Sequence, residues 1–236
     1  MPRSFQIVED KIAETEFFLD KLQFNGADFS HYNFYAEAHF YLSAFLSAVR
    51  SITFCLQASL NDLEGFEHWY QEKQNKLRND NLAKFFLEAR NLSQKVGYYP
   101  LVGGRMHSDE NDVISVILYF DKQNEEGLKN IPDTDVYTAC KTQFVQILEI
   151  IKDCYISFGK IIDPEKYYTF ENLTENGLRI EDFEIELGFE EGWTNEEGLT
   201  IEDRVMLLSQ YIPECEIDWI FVKYLGTDRY GLKSKD

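Results

Sequence analysis

Residues 80–96 read DNLAKFFLEARNLSQKV. Leu82, Phe85, Phe86, Ala89, Leu92 and Val96 recur at helical spacing and make one apolar stripe. Asp80 is a good N-cap and Gly97 a plausible stop, so both ends of a helix are marked. Upstream, 62–77 has the same period through Leu63, Phe66, Trp69, Tyr70 and Leu77, with a break at Arg78-Asn79-Asp80. Residues 30–59 predict the longest helix, on a stripe that includes Phe34, Ala38, Tyr41, Phe45, Ile52 and Leu56. Such a helix spans about 45 Å, a length suited to a bundle or a dimer. Ala36, Ser43, Ala44, Ser47 and Ser51 supply small residues for close helix approach. Residues 4–23 predict a first helix, ended by Asn25-Gly26-Ala27-Asp28.

Downstream, 98–112 (YYPLVGGRMHSDEND) carries turn signals and predicts a loop. VISVILYF at 113–120 is apolar and β-branched and predicts a strand. A wide stripe over 134–160, from Val136 to Phe158, predicts another long helix. In RIEDFEIELGF, Phe183, Ile185, Leu187 and Phe189 alternate with Glu184 and Glu186, the pattern of a half-buried strand with the glutamates outward. Residues 199–211 predict a helix capped by Thr200, and 216–225 suit either helix or strand.

The chain has 236 residues, 44% hydrophobic and 15% aromatic, enough for a sizeable core and too aromatic for disorder. Its 23 Lys plus Arg against 42 Asp plus Glu leave a net charge of −19. Residues 160–236 hold 8 of the basic and 19 of the acidic residues. That balance disfavours a general nucleic-acid binder, and no DNA partner is expected. No run of about 18 apolar residues marks a membrane span. The N-terminus shows no signal peptide. Cys55, Cys140, Cys154 and Cys215 are widely spaced without a CxxC pair, which suits reduced packing residues and a cytoplasmic protein.

The order of helices around Arg90-Asn91 resembles the HEPN superfamily of helical bundles over roughly residues 4–160. Many members carry an Arg, often a polar residue after it, and a His four to six residues beyond the Arg, near the end of the third main helix. Here Arg90-Asn91 matches the first part, but Lys95 stands five residues on, followed by Val96 and Gly97. The resemblance implies a homodimer, RNA in a cleft between protomers, metal-free cleavage in active members, and a stress or phage-defence setting. Arg gives a fixed cation for a phosphate and His moves protons near neutral pH. Lysine, with an ordinary pKa of about 10.4, is a poor general base unless desolvated. The motif therefore implies a catalytically degenerate protein, with Arg90, Asn91 and Lys95 as the candidate site. The plain alternative is a surface row in which Arg90 meets Gln94 and Asn91 meets Lys95 one turn on.

Of the four histidines, His39 is expected in a core or interface and His68 on a helix surface. His107 stands in HSDEND with Asp109, Glu110 and Asp112, a set whose spacing matches no established metal site. Gly103-Gly104-Arg105 lacks the Gly-Lys-Ser/Thr of a phosphate loop. No metal and no cofactor are expected.

The expected fold is mostly α: a HEPN-like up-down bundle over 1–162 and a small acidic α+β extension over 163–236 packed on it. Three functions compete: a degenerate HEPN-like protein binding RNA or a partner, an acidic interaction protein that takes a basic partner, and a metal-independent ribonuclease using Arg90.

Overall fold

The computed structural model describes residues 1–25, 34–108, 110, 114–123 and 128–232. It is mostly helical, with one small sheet. The chain divides into two compact units, Ile7–Ile150 and Met1–Gln6 with Ile151–Asp236. The division falls within a single long helix.

In the first unit, α1 (Gln6–Lys21) buries Val8, Ile12 and Leu19 at helical spacing. The chain then enters a two-residue strand, β1 (Phe24–Asn25). Next is α2 (Phe34–Leu60), the core helix, with Leu42, Phe45, Leu46, Ile52 and Leu56 buried. Its segment Tyr35–Leu60 is long and apolar enough by composition to cross a bilayer. Glu37, Arg50 and several hydroxyl residues interrupt its apolar positions, so it contains no unbroken apolar run of that length. α3 (Phe66–Asn79) and α4 (Asn81–Val96) follow.

Asp80 ends α3 and caps α4, its side chain accepting from the Ala83 N–H at 2.8 Å. Gly97 closes α4 with φ at 67°, in the left-handed region that suits glycine. α2 and α3 both pack on α4. α5 (Val136–Ile162) buries Cys140, Phe144 and Leu148 in this unit.

The predicted loop at 98–112 is a correction: Leu101–Ser108 forms strand β2, antiparallel to β3 (Ile114–Phe120). The sheet order is β1-β3-β2. Glycine and polar composition hid β2, yet Gly104 is there for a strand reason. A Cβ on it would stand 2.6 Å from Val116 Cγ1 on β3. The sheet reaches the helices through Phe120, edge-on to Phe85 of α4 with centroids 4.9 Å apart.

In the second unit, α6 (Pro164–Tyr167), α7 (Phe170–Glu175), α8 (Ile180–Glu186), α9 (Ile201–Ser209) and α10 (Asp218–Leu225) follow the end of α5. The predicted α+β extension is therefore corrected to all-α among the described residues. The strand expected at 179–189 is helix α8. Ile180, Phe183, Glu184 and Leu187 share its inner face at i, i+3, i+4 and i+7, and Phe183 packs with Tyr168, Leu173 and Leu208. Residues 216–225, open between helix and strand, contain α10. Thr200 caps α9 as expected, accepting from the Asp203 N–H at 3.2 Å.

Two buried charge centres hold this unit. Glu184 is wholly buried and accepts from Gly192 N–H at 2.5 Å, Thr194 N–H at 2.8 Å and Arg204 Nη2 at 3.1 Å. Burial pushes its carboxyl up, but the bonds from Thr194, Gly192 and Arg204 outweigh this and leave it below the ordinary value. The expectation of Glu184 on an outer face is thereby corrected. Arg229, also buried, donates from Nε to Asp163 at 2.7 Å and pairs with Asp218 and with Glu165, the latter at 2.8 Å.

Candidate functional site

Arg90, Asn91 and Lys95 lie on the second half of α4. Arg90 and Asn91 are half-buried and Lys95 is exposed. Five residues separate Arg90 from Lys95, about 140° around the helix. The three therefore form two neighbouring rows and not one convergent cluster. Arg90 Nη1 donates to Asn91 Oδ1 at 3.4 Å, while its Nε is buried without a partner. Gln94, expected beside Arg90, instead donates to Ser47 Oγ of α2 at 3.1 Å. Ser43 and Ser93 share a 2.7 Å hydrogen bond at the same contact. The small residues of α2 do what their size suggested: they let α4 approach and then bond it.

No histidine meets Arg90 among the described residues. His39 lies on α2 about 12 Å along the axis from Ser47, the residue opposite this part of α4. Its ring stacks on Tyr99 at 5.2 Å and stands edge-on to Tyr35 at 4.9 Å. Burial lowers its pKa below the ordinary histidine value. This is the packing histidine expected from the sequence. His68 is exposed and 3.5 Å from Glu72. His107 is exposed on β2, not in a loop. Asp109 and Asp112, like His31, lie outside the described residues. Among the described residues no group of three His, Cys, Asp or Glu could hold a metal. None of the four cysteines is in a disulfide, and burial pushes the thiols of Cys140 and Cys154 up, which suits packing for these two.

A cavity of about 350 Å³ adjoins this region and was not foreseen from the sequence. α2, α3, α4 and α5 line it, with Leu46, Val49, Phe86 and Ile147 as apolar walls. Arg50, Arg78 and Lys84 supply positive charge, and Gln143 faces it from α5. These residues come from four separate stretches of an acidic chain. No local motif marks them.

This first unit is a helical bundle with a three-stranded sheet at one flank, and its polar seam lies between two long helices. Residues 23–102, from just before β1 through α4 and into β2, are similar to the family described as Bacteriophage lambda protein ea47. That match covers about a third of the chain. No curated protein and no solved structure matches it.

Proposed function

We propose that this is a HEPN-like bundle without nuclease chemistry, which binds RNA through the Arg90 seam of a homodimer in the cytoplasm. One observation carries the reading: Arg90, in a chain with 19 more acidic than basic residues, has no carboxylate partner among the described residues and no histidine beside it. A cation held this way is available to a phosphate, and the seam offers no general base to move a proton. Asn91 orients the guanidinium, and Lys95 adds charge on the adjoining row. The likeness of residues 23–102 to a phage protein family supports a phage-related setting, and the stress or defence role rests on the HEPN-like reading alone.

The test is metal-free incubation of defined single-stranded and structured RNAs with the wild type, Arg90→Ala and Arg90→Glu. The expected result is binding without cleavage, weakened about tenfold by Arg90→Glu. Sedimentation at several concentrations checks the dimer. Cleavage that Arg90→Ala abolishes would make the protein a ribonuclease instead. Absence of RNA binding would end the RNA reading.

A second reading, an acidic protein that binds a basic partner, is favoured by the exposed run of Glu190, Glu191, Glu196, Glu197, Glu202 and Asp203. It expects association to fall with salt and to respond to charge reversal at Glu196 and Glu197, not at Arg90.

A further inference from the structure

We propose that the cavity among α2, α3, α4 and α5 is a binding site for a small organic carboxylate with an apolar body. Its volume of about 350 Å³ lies at the lower end of the range that holds small ligands. This inference does not rest on the RNA reading, since Arg90, Asn91 and Lys95 are absent from the cavity lining.

Two independent observations converge. The first is charge. Arg50, Arg78 and Lys84 line the cavity, no Asp or Glu does, and none of the three has an ion-pair partner among the described residues. Among the described residues Arg50 donates to Thr53 Oγ1, at 3.3 Å, and lies over the Phe54 ring with its carbon 4.4 Å from the centroid. Arg78 donates to the neutral Gln74 at 3.3 Å. In a chain with 42 acidic residues, these three cations stand around one apolar hollow whose lining holds no carboxylate. The nearby carboxylate of Asp80 is already engaged, by the Ala83 N–H and by Gln146 Nε2 at 3.4 Å. Burial, together with the neighbouring charge of Arg90, pulls the Arg50 pKa below its ordinary value, as expected for a desolvated cation that lacks an anion.

The second observation is Gln143. It is 5% exposed, lines the cavity, and its Oε1 is buried with no hydrogen-bond partner. A buried amide left unpaired costs free energy. A ligand in the cavity supplies the missing bond. Oxygen and nitrogen of the amide exchange by rotation, so Gln143 can donate to a carboxylate oxygen as well as accept. The guanidinium of Arg50 offers the planar fork that suits a carboxylate, Lys84 adds charge on α4, and Leu46, Val49, Phe86 and Ile147 take the apolar body.

Isothermal titration with decanoate, decanol and decyltrimethylammonium tests the proposal on the full chain. Decanoate is expected to bind saturably at one per chain, with decanol and the cationic analogue at least about tenfold weaker. Arg50→Gln and Lys84→Gln are each expected to weaken decanoate about tenfold and to leave decanol unchanged. Gln143→Leu is expected to lower decanoate affinity while raising the melting temperature of the free protein, because the unpaired amide is removed. Equal affinity for decanoate and decanol, or no saturable binding, overturns the proposal with the wild type alone. A Gln143→Leu variant that melts lower and binds decanoate unchanged overturns the part given to Gln143.

Discussion

Glu184 shows how one residue can mislead a sequence and then organise a structure. Its position between Phe183 and Ile185 suggested an outward strand residue, and it is wholly buried. Its partners meet it only because α9 brings Arg204 to it and the turn after α8 brings Gly192 and Thr194. Glu184→Gln leaves the buried Arg204 with Glu181 as its remaining carboxylate and weakens the bonds from Gly192 and Thr194, so it is expected to destabilise the chain by about 1–3 kcal/mol in chemical denaturation. The pH dependence has a definite sign. The folded carboxyl titrates below its ordinary value, so its contribution is present above the unfolded pKa of about 4.3 and is lost as pH falls through the lower folded value. Wild-type stability should therefore fall on acidification in that window, and Glu184→Gln should lose less there.

At the scale of elements, caps and breaks were the most legible features. Asp80, Gly97 and Thr200 stand where their side chains or backbone freedom predicted. Asp80 also serves two elements, capping α4 and receiving Gln146 from α5. Asp80→Ala is expected to cost about 1–2 kcal/mol, and Asp80→Asn far less, because asparagine caps nearly as well. Thermal melts of the two variants side by side check this. β2 was illegible for the opposite reason. Its glycines signal a turn when read locally, and only the partner strand shows that Gly104 is required by the closeness of Val116. Likewise α8 carried the helical i, i+3, i+4, i+7 pattern all along, concealed because one of its four inward positions is a glutamate.

At the scale of the molecule, the net charge of −19 is the dominant fact. Self-repulsion of that size weakens the compact state and is screened by salt. Raising ionic strength from about 0.01 M to about 0.15 M is expected to raise the melting temperature by about 2–4 °C, the shift that about 1 kcal/mol gives a chain of this size. A melting temperature that stays flat or falls with salt would show that the acidic groups are already neutralised by their partners. The buried cations Arg204 and Arg229, each with two or more carboxylates, are where such neutralisation is built in.

By itself the sequence determined the helical class, the limits of α4, the strand β3 and the packing use of Cys140, Cys154 and His39. The helices and the strand rest on periodicity or on a local hydrogen bond within a few residues. It also placed Arg90 and Asn91 on one helix, but not whom they meet. The tertiary structure alone decided that Gln94 bonds Ser47 and not Arg90, that Glu184 turns inward to Arg204, and that Arg50, Arg78, Lys84 and Gln143 surround one hollow. Those contacts join residues that stand far apart along the chain. Their energy depends on burial and on partners from other elements, and neither is written in the local pattern.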